Sequence, residues 1–224
     1  MNLFQNGDGL LIIDVQRDFC PGGALGTNDG DRIIPVLNQW IQQARHMGLP
    51  VYASRDWHPL GHISFKAQGG PWPPHCIQDS DGAEFHPALR LPDDVVKITK
   101  GVHFDHDQNS VFDETGLAEQ LTRDGVRRLF IGGLALDVCV LASVIDARKA
   151  GFEVQLIEDA TRPVNEEGGR KALSKIKESG AEILTTAAAN NQQTQTCQKA
   201  PEWAEHARFE DTDLPCDDGR SGKI

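Results

Sequence analysis

The sequence predicts a three-layer α/β/α sandwich, a parallel sheet with helices on both faces. Two observations lead there. Short apolar runs of strand length alternate with longer segments of helical periodicity, and residues of unusual chemistry gather just after the apolar runs. Strand–helix alternation implies right-handed crossovers and a parallel sheet covered on both sides. Ligands in such sheets bind beyond the carboxyl ends of the strands. A chain of 224 residues suits one such domain and can bury a sizeable core.

The first strand is the apolar run Gly9-Leu10-Leu11-Ile12-Ile13-Asp14-Val15, which ends near an acid. A Gly/Pro-rich stretch, Cys20-Pro21-Gly22-Gly23, follows. Ile33, Ile34, Leu37, Trp40, Ile41, Ala44 and Met47 then recur at helical spacing, and Gly48 closes that helix. Val51-Tyr52-Ala53-Ser54 and Val95-Val96-Lys97-Ile98-Thr99 are the second and third strands. A helix is expected from Asp113 to Asp124, and a fourth strand at Arg128-Leu129-Phe130-Ile131-Gly132. Val138 to Ala150 reads as a largely buried helix stopped by Gly151. Val154-Gln155-Leu156-Ile157, a helix from Glu166 to Ser179 and Ala181-Glu182-Ile183-Leu184 complete the alternation.

Two stretches break the pattern. Asp56 to Asp94 shows no periodicity and is rich in His, Trp and Pro, so it is expected to be an ordered binding loop. The polar tail from about Ala187 reads as an extension rather than a second domain, which sets the domain at 1–186 and the extension at 187–224.

Composition removes several function classes. The formal net charge of -11 argues against nucleic acid and anionic membrane as partners. No apolar run approaches the roughly 18 residues that span a bilayer. The N-terminal residues lack the basic-then-apolar order of a signal peptide. Cys20, Cys76, Cys139, Cys197 and Cys216 are odd in number and show no zinc-ribbon spacing. Free or reactive thiols in a reducing cytoplasm are therefore expected. Assembly into a homo-oligomer is left open.

Three residues at strand ends carry nucleophilic chemistry. Cys139 lies between a strand and a helix, where the helix dipole favours a thiolate and backbone N–H groups can receive an oxyanion. Asp14, at the end of the first strand, is placed to act as general base towards it. Lys100 follows the third strand and supplies a cation that can hold either anion. Each alone is weak, since a strand-ending Asp is often a turn former and a Lys is usually solvated. Together they converge on one edge of one sheet. The loop adds Arg55-Asp56-Trp57-His58-Pro59-Leu60-Gly61-His62 and Gly70-Pro71-Trp72-Pro73-Pro74-His75-Cys76. Asp56, His58 and His75 give a carboxylate and two imidazoles, a set suited to one divalent ion, zinc or else iron or manganese, with positions left for water and substrate.

With these residues, the chain resembles the nicotinamidase/pyrazinamidase branch of the isochorismatase-like cysteine hydrolases. The resemblance runs from about Gly9 to Thr186. Asp14-Val15-Gln16-Arg17-Asp18-Phe19 with Pro21-Gly22-Gly23 is similar to the family's first-strand motif. Ser54-Arg55-Asp56-Trp57-His58-Pro59, with His62, Ser64 and Phe65, and Gly70 to Cys76 resemble its two metal segments, which related hydrolases generally lack. Lys100-Gly101 and Ala135-Leu136-Asp137-Val138-Cys139-Val140 supply the rest.

The resemblance implies a six-stranded sheet ordered 3-2-1-4-5-6 and hydrolysis of nicotinamide to nicotinate and ammonia. It implies a triad of Asp14, Lys100 and Cys139, and an oxyanion held by the Ala135 and Cys139 amides beyond a cis peptide. It implies metal ligands Asp56, His58 and His75, with His62 a ligand only in some members. Phe19 and Trp72 match residues that flank the pyridine ring. Two departures bear on the pocket: Leu136 stands where Thr is usual, and Asp107-Gln108-Asn109-Ser110 differs from the common pattern after the lysine.

Overall fold

The computed structural model describes residues 3–189. Most of the expected extension, with Cys197 and Cys216, lies outside the described residues. Six strands form one sheet: β1 (Asp8–Ile13), β2 (Val51–Asp56), β3 (Val96–Lys100), β4 (Arg128–Leu134), β5 (Glu153–Arg162) and β6 (Glu182–Leu184). Their order is β3-β2-β1-β4-β5-β6, as the resemblance implies, and every pairing is parallel, as the strand–helix alternation predicts.

The helices are α1 (Ile34–His46), α2 (Leu117–Arg123), α3 (Leu141–Lys149) and α4 (Glu166–Glu178). Strand pleat divides the core between two layers. Leu10 and Ile12 of β1 face α1, where Leu37, Trp40 and Ile41 are buried. Leu11 and Ile13 face the opposite layer, where Leu121 of α2, Val144 of α3 and Ile176 of α4 are buried. The strand order reverses between β1 and β4, so the crevice at their carboxyl ends is the topological switch point.

Three boundaries depart from expectation, each for a local reason. The segment from Asp113 is helical only from Leu117. The Asp113 carboxylate accepts from the Ser110 amide at 3.2 Å, and Glu114 and Gly116 adopt positive φ, which together make a turn. Strand β5 runs past its apolar core to Arg162, with a register shift between the Ile131–Leu156 and Gly133–Thr161 pairs. The helix expected from Val138 is α-helical only from Leu141. A wide π turn, Leu136–Val140, precedes it, a feature often found at functional sites. Gly133 is required where β4 meets β1, because a Cβ there would strike the Ile13 backbone.

Candidate active site

Strand register brings the first two residues together. Asp56 pairs with Lys100 at the ends of β2 and β3. Lys100 is fully buried, and its ammonium is the hub of the site. Nζ lies 2.5 Å from Asp56 Oδ1 and 2.9 Å from Asp14 Oδ2. It donates to the Gln108 carbonyl at 3.2 Å and to Cys139 Sγ at 3.5 Å. Asp14 follows β1 with φ 48°. Its Oδ1 accepts from Ser54 Oγ at 2.6 Å, while Oδ2 pairs with the Lys100 ammonium. The Sγ of Cys139 and a carboxylate oxygen of Asp14 and of Asp56 lie within 4.8 Å of one another. A carboxylate held by Lys100 therefore stands beside the thiol.

Burial dominates the proton affinities. It pushes the Asp14 carboxyl up, against the pull of Lys100. It also pushes the Cys139 thiol well above its ordinary range, although Lys100 opposes the shift. Burial thus opposes the thiolate that the helix end favours, so a nearby base that takes the proton as Sγ attacks suits this site. For Asp56, burial is outweighed by Lys100 and His58, which hold its carboxyl well below the usual range. Lys100 stays charged, because Asp14 and Asp56 override the effect of burial.

Asp56, His58 and His75 are buried and present ligand atoms within 4.8 Å of one another. His58 Nδ1 lies 2.9 Å from the Gly101 carbonyl, and His75 Nδ1 lies 2.8 Å from the Pro73 carbonyl. A carbonyl only accepts, so both rings donate through Nδ1, which leaves Nε2 as the atom that would meet an ion; burial opposes a charge on His58, but Asp56 outweighs it and raises the His58 pKa. His58 Nε2 and Asp56 Oδ2 are 3.5 Å apart. Ligands on arms of about 2.0–2.1 Å around a tetrahedral ion stand roughly 3.3–3.4 Å apart. Charge points the same way, since one ammonium faces two buried carboxylates. The residues fit a divalent ion.

His62 differs. Its ring stacks near His58, with centroids 4.1 Å apart, but its Nδ1 accepts from the Ser64 amide at 3.3 Å. Ser64 Oγ lies 2.7 Å from the same nitrogen, and the buried Nε2 has no hydrogen-bond partner among the described residues. Burial and the neighbouring His58 lower its pKa to about 4.

Above these groups opens a narrow cleft. Phe19, Trp72, Ala135 and Cys139 line it beside the three metal-suited residues, and Asp14 and Lys100 are buried beneath. The Leu134–Ala135 peptide is cis, as the resemblance implies. The two departures separate here. Leu136 packs into the core beside α4, away from the cleft, whereas Asp107, Gln108 and Asn109 line it.

Some contributors were not legible in sequence. Gln16 clamps Asp56: its Oε1 accepts from the Asp56 amide and its Nε2 donates to the Asp56 carbonyl, both at 2.8 Å. Ser54 orients Asp14. Gln108 accepts from the Gly101 amide at 2.8 Å and thereby carries its own carbonyl to Lys100. The only hint was polar residues beside strand ends, a signal shared with ordinary loops.

Fold and site together define a class, a doubly wound α/β protein with a buried thiol–carboxylate–ammonium group beside a His₂–carboxylate set. The family described as the isochorismatase domain matches residues 8–188, and the chain belongs to it. The nicotinamidase of Escherichia coli (strain K12) is 34% identical over 201 residues, covering 80% of this chain and 94% of that protein. Among solved structures, the pyrazinamidase of Pyrococcus horikoshii in complex with zinc is 44% identical, with a TM-score of 0.78 over 80% of this chain and 99% of that one. PnC1 from L. infantum in complex with nicotinate is 38% identical, with a TM-score of 0.79 over 84% of this chain and 97% of that one.

Proposed function

We propose that this protein is a nicotinamidase, hydrolysing nicotinamide to nicotinate and ammonia, and pyrazinamide likewise. The observation that carries the reading is the Lys100 ammonium, which gathers Asp14, Asp56 and Cys139 beneath a cleft lined by a metal-suited set. The names of the similar proteins support it. The reaction would return the pyridine ring to NAD synthesis. The reading takes 1–186 as the hydrolase domain and 187–224 as its extension. It includes a cytoplasmic setting, in keeping with the free thiols of Cys20, Cys76 and Cys139.

In this mechanism the ring lies in the cleft between Phe19 and Trp72. Asp14 Oδ2 takes the Cys139 proton as Sγ attacks the carboxamide carbon. The Ala135 and Cys139 amides receive the oxyanion, at a gain of roughly 3–4 kcal/mol per donor. Collapse breaks the C–N bond, and Asp14 returns its proton to the departing ammonia. Water then attacks the thioester as Asp14 takes one of its protons; collapse breaks the C–S bond, Asp14 returns that proton to Sγ, and nicotinic acid leaves and ionises to nicotinate. Lys100 keeps its charge and balances the anionic forms of Asp14 and Cys139. Asp56, His58 and His75 would hold the ion, zinc in our reading, which when bound offers Lewis acidity and open positions to a ring nitrogen and to water.

Ammonia release across nicotinamide, pyrazinamide, benzamide and an N-carbamoyl amide tests the reading. Benzamide keeps the ring and amide but lacks the ring nitrogen, and should fall at least about a hundredfold below nicotinamide in kcat/KM. Equal rates on those two, or preference for the carbamoyl amide, would overturn the assignment.

A further inference from the structure

Outside the cleft, the surface segment joining β3 to α2 brings His103, His106 and Glu114 together, with ligand atoms within 4.8 Å of one another. His106 Nε2 lies 3.3 Å from Glu114 Oε2, and His103 Nε2 lies 3.8 Å from the same oxygen. The first spacing matches an edge of a tetrahedral zinc site, about 3.3–3.4 Å, and the second exceeds it slightly. The two imidazoles stack at 4.4 Å with planes 23° apart, a geometry that two imidazolium ions would resist.

Asp105 Oδ1 lies 3.3 Å from His106 Nδ1, across the ring from Glu114. A ring with a carboxylate at each nitrogen needs positive charge on the Glu114 side, which either a second ring proton or a bound cation supplies. A carboxylate behind an imidazole is also the usual support of a metal-bound histidine.

We propose that His103, His106 and Glu114 form a second divalent-metal site, separate from Asp56, His58 and His75, for an imidazole-preferring ion such as zinc. Three protein ligands leave the remaining position to water. Occupancy would tie the segment to the turn before α2. The same segment carries Asp107, Gln108 and Asn109, which line the cleft.

The test is zinc stoichiometry after equilibrium dialysis, read by elemental analysis, on wild type, the double variant His103→Ala/His106→Ala, and Glu114→Gln. These side chains are solvent-exposed, so the variants should fold, and circular dichroism checks that. Wild type should hold two zinc ions per chain and the double variant one. Glu114→Gln should weaken the second ion at least tenfold. Imidazole ¹⁵N spectra of wild type should shift at His103 and His106 on addition of the second equivalent. One ion in wild type, or two in the double variant, would overturn the proposal. A cluster held together by protons alone gives one ion in both proteins.

Discussion

Lys100→Met isolates the charge at the centre of the site. Methionine nearly matches lysine in length and volume, so packing is largely kept while the ammonium is lost. Asp14 Oδ2 at 2.9 Å and Asp56 Oδ1 at 2.5 Å are then left without their shared cation in a fully buried position. Breaking a buried pair from one side costs about 3–5 kcal/mol, against a total stability of about 5–15 kcal/mol. At about 2–4 °C per kcal/mol for a domain of this size, Tm should fall by roughly 6–20 °C. The effect has a direction in pH. Burial already raises the Asp14 carboxyl, and losing Lys100 raises it further. A carboxyl whose folded pKa exceeds its unfolded value adds stability in acid, which is lost as pH rises through the folded pKa. The deficit against wild type should therefore be small near pH 4 and grow towards neutrality. Adding Asp14→Asn removes one of the uncompensated charges, so the double variant should be more stable than Lys100→Met alone at pH 7. Urea and thermal unfolding with chelator present measure all three proteins. A Tm within about 2 °C of wild type, or strictly additive penalties in the double variant, would refute the account.

Cys139→Ala should abolish ammonia release while leaving the fold and metal content intact; substantial residual turnover would remove the covalent route. His75→Ala should lose stoichiometric metal at the cleft and raise KM for nicotinamide, and chelation of wild type should do the same. Metal content by elemental analysis decides it, and activity untouched by chelators would oppose the ligand set. Gly101→Ala tests the support of His58. Gly101 has φ +68°, and a Cβ there would overlap the His58 ring, so the ring must leave its 2.9 Å contact with the Gly101 carbonyl. Zinc affinity should drop about 10–100-fold in a chelator competition, with only modest loss of fold stability. An unchanged affinity would show that His58 is not held in this way.

The chain's own pattern was enough for the layered fold and for most of the candidate site. Apolar runs of strand length alternating with helical periodicity report burial directly, because each face must exclude water whatever the partner. Residues at strand ends then pointed to one crevice, and Asp14, Lys100 and Cys139 were legible because topology alone sends them there. Tertiary structure decided what depends on contacts between segments distant in sequence. The register of β2 on β3 sets Asp56 beside Lys100 and makes one carboxylate serve both the ammonium and the metal-suited set. Gln16, Ser54 and Gln108 gained roles only through hydrogen bonds to other segments. The opposition of burial to a Cys139 thiolate comes from desolvation, a sum over surrounding atoms that a local helix-end argument omits. Likewise Leu136, beside the nucleophile in sequence, turns into the core because the π turn rotates it under α4. Sequence order says what is near along the chain; only packing says which neighbours share a dry, charged volume.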